Sequence, residues 1–448
     1  MPRKFFRRRI TQAAIVLVAC FMLIQLIRPS LDNPPVTADL QAPPEVKSIL
    51  QRACYDCHSN ETKLAWFDKP APAYWLVAAH VKEGRSLLNF SHWDSLTIDQ
   101  QKGKLFESLN QIVFKEMPLS QYTTFHTGAR VSEEDVKVLR KYLASLAPPK
   151  LADNAMIRSA DDQYAKWTGS AGRPSGVQPE LNGIDYLPDY REWQAISSTE
   201  RWDNGTLRVI TGNATAVKAI REGHTNPWPD GTAFAKIAWK GLLRPTGEIM
   251  RGEFLQVEFM IKDKSKYAGT DGWGWGRWKG TQLKPYGKDA SFATECTHCH
   301  QPMHDHDFVF TSPVDWKGQA GAGADTAAFD PLDWKVITSA VDKSKGTMSI
   351  LYGNDVAVDA ARKGQTGAYP AGSVLALVTW AQKEDEHWYG ANIPASIQSM
   401  ETLSPGIDPE GTRYNFYEGH PLKAARDTGI DVSARIAYLT SLKASVMP

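Results

Sequence analysis

The chain has 448 residues, 42% of them hydrophobic and 23% charged, with 51 basic against 50 acidic side chains for a formal charge of +1. That length leaves room for about three domains, the composition excludes wholesale disorder, and the balance of charge leaves no global field to recruit nucleic acid. Fifteen tryptophans are many for this length; most read as aromatic cores of β-rich domains, with some available as walls of a cofactor pocket.

At the N-terminus Arg3, Lys4, Arg7, Arg8 and Arg9 precede an uncharged run from Ile10 to Ile27, 18 residues long, just enough to cross a bilayer as a helix. Residues 1–30 are therefore predicted as a membrane anchor or signal, with the basic end cytoplasmic and everything from Arg28 exported. An uncleaved anchor is favoured because the run ends Leu26-Ile27-Arg28-Pro29, without an A-x-A-like cleavage site. Leu17-Val18-Ala19-Cys20 keeps a lipidated Cys20 open as the alternative. The expected location is the bacterial inner membrane, with soluble domains in the periplasm. Residues 31–44 are rich in proline and polar residues and read as a spacer.

Residues 45–147 are predicted helical, with helices at Val46–Ala53, Tyr74–Lys82, Ile112–Met117 and Val136–Leu146, the last opened by Ser132 with Asp135 three residues on. The first helix leads into Cys54-Tyr55-Asp56-Cys57-His58. In CxxCH two thiols reach the two vinyl groups of one haem and the next histidine meets the iron. The pattern returns as Cys296-Thr297-His298-Cys299-His300, so four of the five cysteines lie in two such motifs. A redox dithiol or half a zinc site would leave the histidine unexplained, and no second cysteine pair follows nearby to complete a zinc shell. The motifs predict two covalently attached c-type haems, held by Cys54, Cys57, Cys296 and Cys299, with His58 and His300 as iron ligands; thioether attachment fits export. Met117, in Glu116-Met117-Pro118, is the predicted second ligand of the first iron, because His/Met ligation suits an electron carrier. His80, His92 and His126 are its rivals.

Residues 148–185 show no sustained period and read as a linker. From 186 to 316 the pattern changes to short strands, Thr206–Thr211, Thr232–Lys240, Phe254–Lys262 and Trp273–Trp278, interrupted by a helix at Ala214–Glu222. Trp193, Gly205, Gly212, Gly231 and Trp239 recur as Trp334, Gly346, Gly353, Gly372 and Trp380, each 141 residues on. That constant offset marks an internal duplication, with 317–328 as the joint and 329–448 as a second copy. The second copy has no cysteine and cannot carry a c-type haem. Lys236, in Phe234-Ala235-Lys236-Ile237-Ala238-Trp239, and Glu258, in Leu255-Gln256-Val257-Glu258-Phe259-Met260-Ile261, are charges set in apolar strands of a domain already expected to hold a haem; the plain alternative is the wet face of a half-buried strand. His304 and His306 lie too close to His300 to reach the opposite face and read as surface or haem-edge groups.

Residues 45–147 resemble the small haem-binding domain family of exported bacterial proteins, through Cys54-x-x-Cys57-His58-Ser59-Asn60, Ala71-Pro72-Ala73-Tyr74-Trp75-Leu76, His80-Val81-x-x-Gly84-Arg85 and Glu116-Met117-Pro118; haem binding and electron transfer are what this implies. Residues 190–313 resemble the cytochrome P-460 family, through Tyr190-Arg191-Glu192-Trp193, Asp230-Gly231-Thr232-x-x-x-Lys236, Val257-Glu258-x-x-x-Lys262-Asp263 and Thr294-x-Cys296-x-x-Cys299-His300. The two resemblances imply an α+β multidomain protein: a mainly α-helical c-type haem domain followed by two tandem, mainly antiparallel β-sheet domains. In the second family a lysine is cross-linked to the haem edge and a glutamate stands over the open face as proton acceptor, positions that fall on Lys236 and Glu258; Leu377 replaces Lys236 in the duplicate. The expected activity is hydroxylamine oxidoreductase, acting on hydroxylamine or a similar small nitrogen compound at the second haem and passing electrons through the first to a periplasmic partner. A nitric oxide or redox sensor or scavenger, or a pure electron carrier, is the alternative. Related single-domain proteins pair as homodimers, so the haem-free copy would take the place of a second subunit.

Overall fold

The computed structural model describes residues 2–169, 174, 176–314, 316, 329–406, 411–425 and 429–448; the joint expected at 317–328 lies outside the described residues. Two compact units meet in the chain at Leu146/Ala147.

The first unit is helical: α1 (Pro2–Ile24), α2 (Pro44–Ala53), α3 (Tyr55–His58), α4 (Ala73–Leu87), α5 (Ile98–Val113), α6 (Ser120–Phe125) and α7 (Glu133–Leu146). Val46, Ile49 and Leu50 of α2 are buried, as are Leu105, Phe106, Leu109 and Ile112 of α5 and Leu139 and Leu143 of α7, each set at the 3–4-residue spacing of one helix face. Capping follows the sequence. Thr97 and Gln100 form a box at the start of α5, and Ser132 and Asp135 exchange bonds at the start of α7. Of the stretch predicted as a separate helix at Ile112–Met117, only Ile112 and Val113 are helical, as the end of α5; the rest is turn and loop. Among the described residues no helix is long and apolar enough to cross a membrane. Helix α1 stops at Ile24 rather than running on to Ile27, because Gln25 turns its amide onto the backbone of Ala71, accepting at 2.8 Å and donating at 3.1 Å. Its apolar stretch from Ile10 is then about 22 Å long against the roughly 30 Å core of a bilayer.

The second unit contains both copies of the duplication. The first copy has β1 (Gln194–Arg201), β2 (Thr206–Gly212), α9 (Ala214–Glu222), β3 (Ala233–Leu243), β4 (Glu248–Lys262), β5 (Trp273–Lys279), β6 (Lys284–Pro285) and α10 (Ala293–His300). The second has β7 (Lys335–Asp342), β8 (Thr347–Gly353), α11 (Asp355–Arg362), β9 (Leu375–Glu384), β10 (Ala391–Ser404), β11 (Arg413–Glu418), β12 (Lys423–Ala424) and α12 (Val432–Ser441). One antiparallel sheet joins them in the order β1-β2-β3-β4-β7-β8-β9-β10, and pairing of β10 with β1 closes the ring. The exchange is reciprocal: the start of β4 pairs with β7, and the start of β10 pairs with β1. Each copy thus covers a sheet edge that the other would expose. Inside the ring the duplicated tryptophans Trp239 and Trp380 are fully buried with Tyr190, Tyr352 and Phe254, and the Trp239 indole donates to the Val446 carbonyl at 2.8 Å.

The span 148–185, read from sequence as linker, contains a helix, α8 (Asn154–Gly169). Asp153 accepts from the Met156 N–H at its start, and Gln163 accepts from the Phe254 N–H at 2.6 Å, docking the helix on β4. Its polar surface hides the period, because it uses hydrogen bonds as well as Tyr164 and Trp167 to pack.

Candidate functional site

In the first unit Cys54, Cys57 and His58 are brought together where α2 runs into α3. The His58 Nδ1 lies 3.0 Å from the Gly84 carbonyl and 3.1 Å from that of Leu88; since a carbonyl only accepts, Nδ1 carries the proton and Nε2 is left for an axial bond. Gly84 is where it is because a Cβ there would come within 2.8 Å of the Cys57 carbonyl. Burial pushes the Cys54 thiol up to about 12 and Cys57 up to about 11, keeping both as neutral thiols rather than metal-binding thiolates. Met117 is half-buried in the loop after α5, its N–H bonded to the Gln111 carbonyl. The chain just beyond is tied to the motif by the Tyr122 hydroxyl, which donates to Asp56 at 2.6 Å. Two rivals of Met117 are engaged at both ring nitrogens: His92 with Thr37 and Asn60, His126 with the Tyr122 carbonyl and Asp68. His80 is half-buried on α4.

In the second unit strand register assembles the site. Lys236 on β3 pairs with Glu258 on β4, and Glu258 pairs with Arg277 on β5, so the three side chains stand in one row on one face of the sheet. Lys236 Nζ is 2.7 Å and Arg277 Nη2 3.4 Å from the same Glu258 oxygen, while the Gln256 amide donates to the other. Trp275, two residues before Arg277 on the same face, lies 4.5 Å ring to ring from His300 of α10, which places the CxxCH helix over that face. Burial opposes ionisation of Glu258, but Arg277, Lys236 and Arg208 together hold its carboxyl well below the usual range. Its neighbours are cations, and their effect outweighs that of burial. Lys236 is shifted down, by burial first and then by Arg208 and Arg277, against the pull of Glu258.

The His300 Nδ1 donates to the Phe308 carbonyl at 2.7 Å, again leaving Nε2 for the metal. Burial lowers this imidazole to about 4, so it is neutral, the form that ligates. The carbonyl is aimed by two consecutive non-glycine residues in left-handed conformation, Asp307 and Phe308 (φ 50° and 65°), each costing about 1–2 kcal/mol. Asp307 is locked by Lys262 at 2.6 Å, a lysine only 2% exposed, and accepts from the Trp228 N–H at 2.8 Å. The site's residues fit a haem. Among the described residues the Trp275 indole N–H and the Arg277 Nε have no hydrogen-bond partner and are buried on the face below α10, donors suited to a flat group with carboxylates at its rim.

Sequence reasoning missed Arg277, Gln256, Lys262 and Asp307. Arg277 had a signal, since the alternation Trp273, Trp275, Arg277 puts it on one face with the two tryptophans; its facing Glu258 needed the β4–β5 register.

The duplicate closes the same face. Leu377 pairs with Glu401 as Lys236 pairs with Glu258, and Arg435 of α12 holds Glu401 through two bonds of 2.8 and 2.5 Å, with the Tyr414 hydroxyl at 2.7 Å. Leu439 and Leu442 pack with Leu375, Leu377 and Leu403 in one apolar cluster.

Two CxxCH helices, each presenting a histidine whose outer nitrogen is tied to backbone carbonyl oxygen, define a haem-binding cytochrome. The Haem-binding domain family matches residues 19–145, and the Cytochrome P460 family matches residues 187–311 and again 332–404, so the chain is a fusion of one domain of the first kind with two of the second. A comparison with curated proteins gave no match.

Proposed function

We propose that the protein is an exported dihaem c-type cytochrome, tethered through its N-terminal segment, in which the second haem oxidises hydroxylamine or a similar small nitrogen compound and the first delivers the electrons to a periplasmic carrier. The observation that carries this reading is the row Lys236–Glu258–Arg277 on the sheet face beneath α10, with Glu258 Oε2 2.7 Å from Lys236. Haem bound at Cys296, Cys299 and His300 would supply an iron able to take electrons from nitrogen. Around it, Glu258 is an ionised acceptor for the protons released, and Gln256 and Arg277 fix its orientation. Neutralising Lys236, by the bond to haem that the family resemblance implies, removes one of three cations and moves Glu258 up toward the ordinary carboxylate range, where it is a better base. Export is supported by the two attachment motifs; the tether is the apolar part of α1 or a lipid on Cys20.

Steady-state reduction of an acceptor by hydroxylamine tests this. Glu258→Gln should retain covalent haem and slow turnover by about two to four powers of ten, and unchanged turnover would remove Glu258 from the role of proton acceptor. Absence of turnover in the wild type would leave a second reading, favoured by how firmly Glu258 is held in ion pairs, in which the site binds a gas such as nitric oxide without turning it over.

A further inference from the structure

The two copies differ in one hairpin. In the first copy β3 and β4 are joined by residues 244–247, whereas β9 and β10 are joined by the longer Asp385-Glu386-His387-Trp388-Tyr389-Gly390. The insertion moves the offset between equivalent positions from 141 at Trp239 and Trp380 to 143 at Glu258 and Glu401. The short turn meets the other copy through backbone, Gly247 accepting from the Lys343 N–H.

The long turn reaches the proximal side of the second haem site. The His387 Nδ1 donates to the Phe310 carbonyl at 3.0 Å. The Phe310 ring stands edge-on to Trp388 at 6.1 Å and to His300 at 4.9 Å. The turn itself is anchored: the Arg201 guanidinium stacks on Trp388 at 4.2 Å, Trp388 Nε1 donates to Asp203, and Asp203 N–H donates to the Gly390 carbonyl. Asp203 is buried and ion-paired with Arg201. One wall of the His300 pocket is therefore built by the copy that has no cysteines.

We infer that His387 and Trp388 are positioning residues for the His300 ligand: they hold Phe310 against one edge of the imidazole while Phe308 and Trp275 hold it elsewhere. The haem-free copy then has a task at the haem of its twin, tuning the proximal ligand through contacts two shells from the iron. The inference rests on haem attachment at Cys296–His300, not on the substrate, so failure of the hydroxylamine reading leaves it standing.

The test uses full-length protein carrying its haems, with His387→Ala, His387→Gln, Trp388→Ala and deletion of Glu386-His387, which restores the shorter loop length. Readouts are the reduction potential of each haem and the iron–histidine stretching mode in the ferrous state, the first haem serving as internal control. Covalent haem content should be unchanged in all four. His387→Ala, Trp388→Ala and the deletion should shift the potential and stretching mode of the second haem alone; His387→Gln, whose amide can still donate to Phe310, should stay near wild type. Loss of thermal stability with both signatures unmoved would overturn the inference and reduce the loop to a contact between copies. Should Trp388→Ala fail to fold, the contrast between His387→Ala and His387→Gln decides the matter.

Discussion

The two copies of the duplicated domain keep the same strands and a glutamate at the equivalent place, half-buried as Glu258 and buried as Glu401, yet treat that glutamate in opposite ways. In the first, Glu258 takes its cations from the sheet, Lys236 and Arg277, and α10 is free to carry two cysteines and a histidine. In the second, the cation comes from the helix: Arg435 of α12 reaches Glu401, and Leu439 fills the space between helix and sheet. A buried carboxylate has to be paired wherever it is, so moving the partner from strand to helix closes the pocket without disturbing the fold. The lesson is that the chemistry of this fold depends on which element supplies the charge.

Substitutions in either copy put that contrast to the test. The largest effect belongs to Cys296→Ala with Cys299→Ala, which should remove one covalent haem from the second unit and leave that at Cys54 and Cys57. Intact mass should fall by one haem, and no peptide from 329–448 should carry haem in any variant. Next comes Arg435→Leu, which leaves a nearly inaccessible Glu401 short of its charge partner and should cost about 3 kcal/mol, read as a lower denaturation midpoint. Adding Leu377→Lys should return part of that loss, because the new lysine meets Glu401 across the strand pair as Lys236 meets Glu258.

A smaller effect concerns pH. A carboxyl held below its unfolded value contributes stability that is complete above the unfolded pKa and lost only as pH falls through the folded one. Wild-type Glu258 should therefore give no step in stability or turnover between about pH 5 and 8. In protein without haem at the second site (Cys296→Ala with Cys299→Ala), where Lys236 keeps its charge, Lys236→Met removes one cation, so the titration of Glu258 should move up and loss of stability on acidification should begin at higher pH; identical acid profiles with and without Lys236→Met in that background would show that Arg277 and Arg208 alone hold the carboxylate. The first haem offers a control on ligation. Met117→Ala should lower its potential and weaken its ligand field, leaving the second haem untouched, whereas an unchanged spectrum would pass the ligand role to His80.

Much of this was legible in the residues because it depends on spacing. The two CxxCH motifs, the 141-residue repeat, the helix Ala214–Glu222 and the apolar settings of Lys236 and Glu258 are local patterns, and the fold shows the helix and the Lys236–Glu258 pairing directly. What stayed hidden depends on contacts distant in sequence. Arg277 joins Glu258 only through strand register, Lys262 and Asp307 meet across 45 residues, and α8 packs with polar groups that blur its period. The end of α1 was misjudged because Gln25 is claimed by Ala71, a partner 46 residues away. The charge state of Glu258 was hidden for the same reason: an apolar setting is legible in a run of residues, but the arginines that gather around the carboxyl are not.

The optical spectrum of the fully reduced protein bears most directly on the asymmetry between the two haems. Wild type should show the ordinary ferrous bands of a c-type haem together with a strongly red-shifted band from the haem beside Lys236, and Lys236→Met should lose the second while keeping the first. Ordinary bands alone in the wild type, with a spectrum indistinguishable from that of Lys236→Met, would contradict the account.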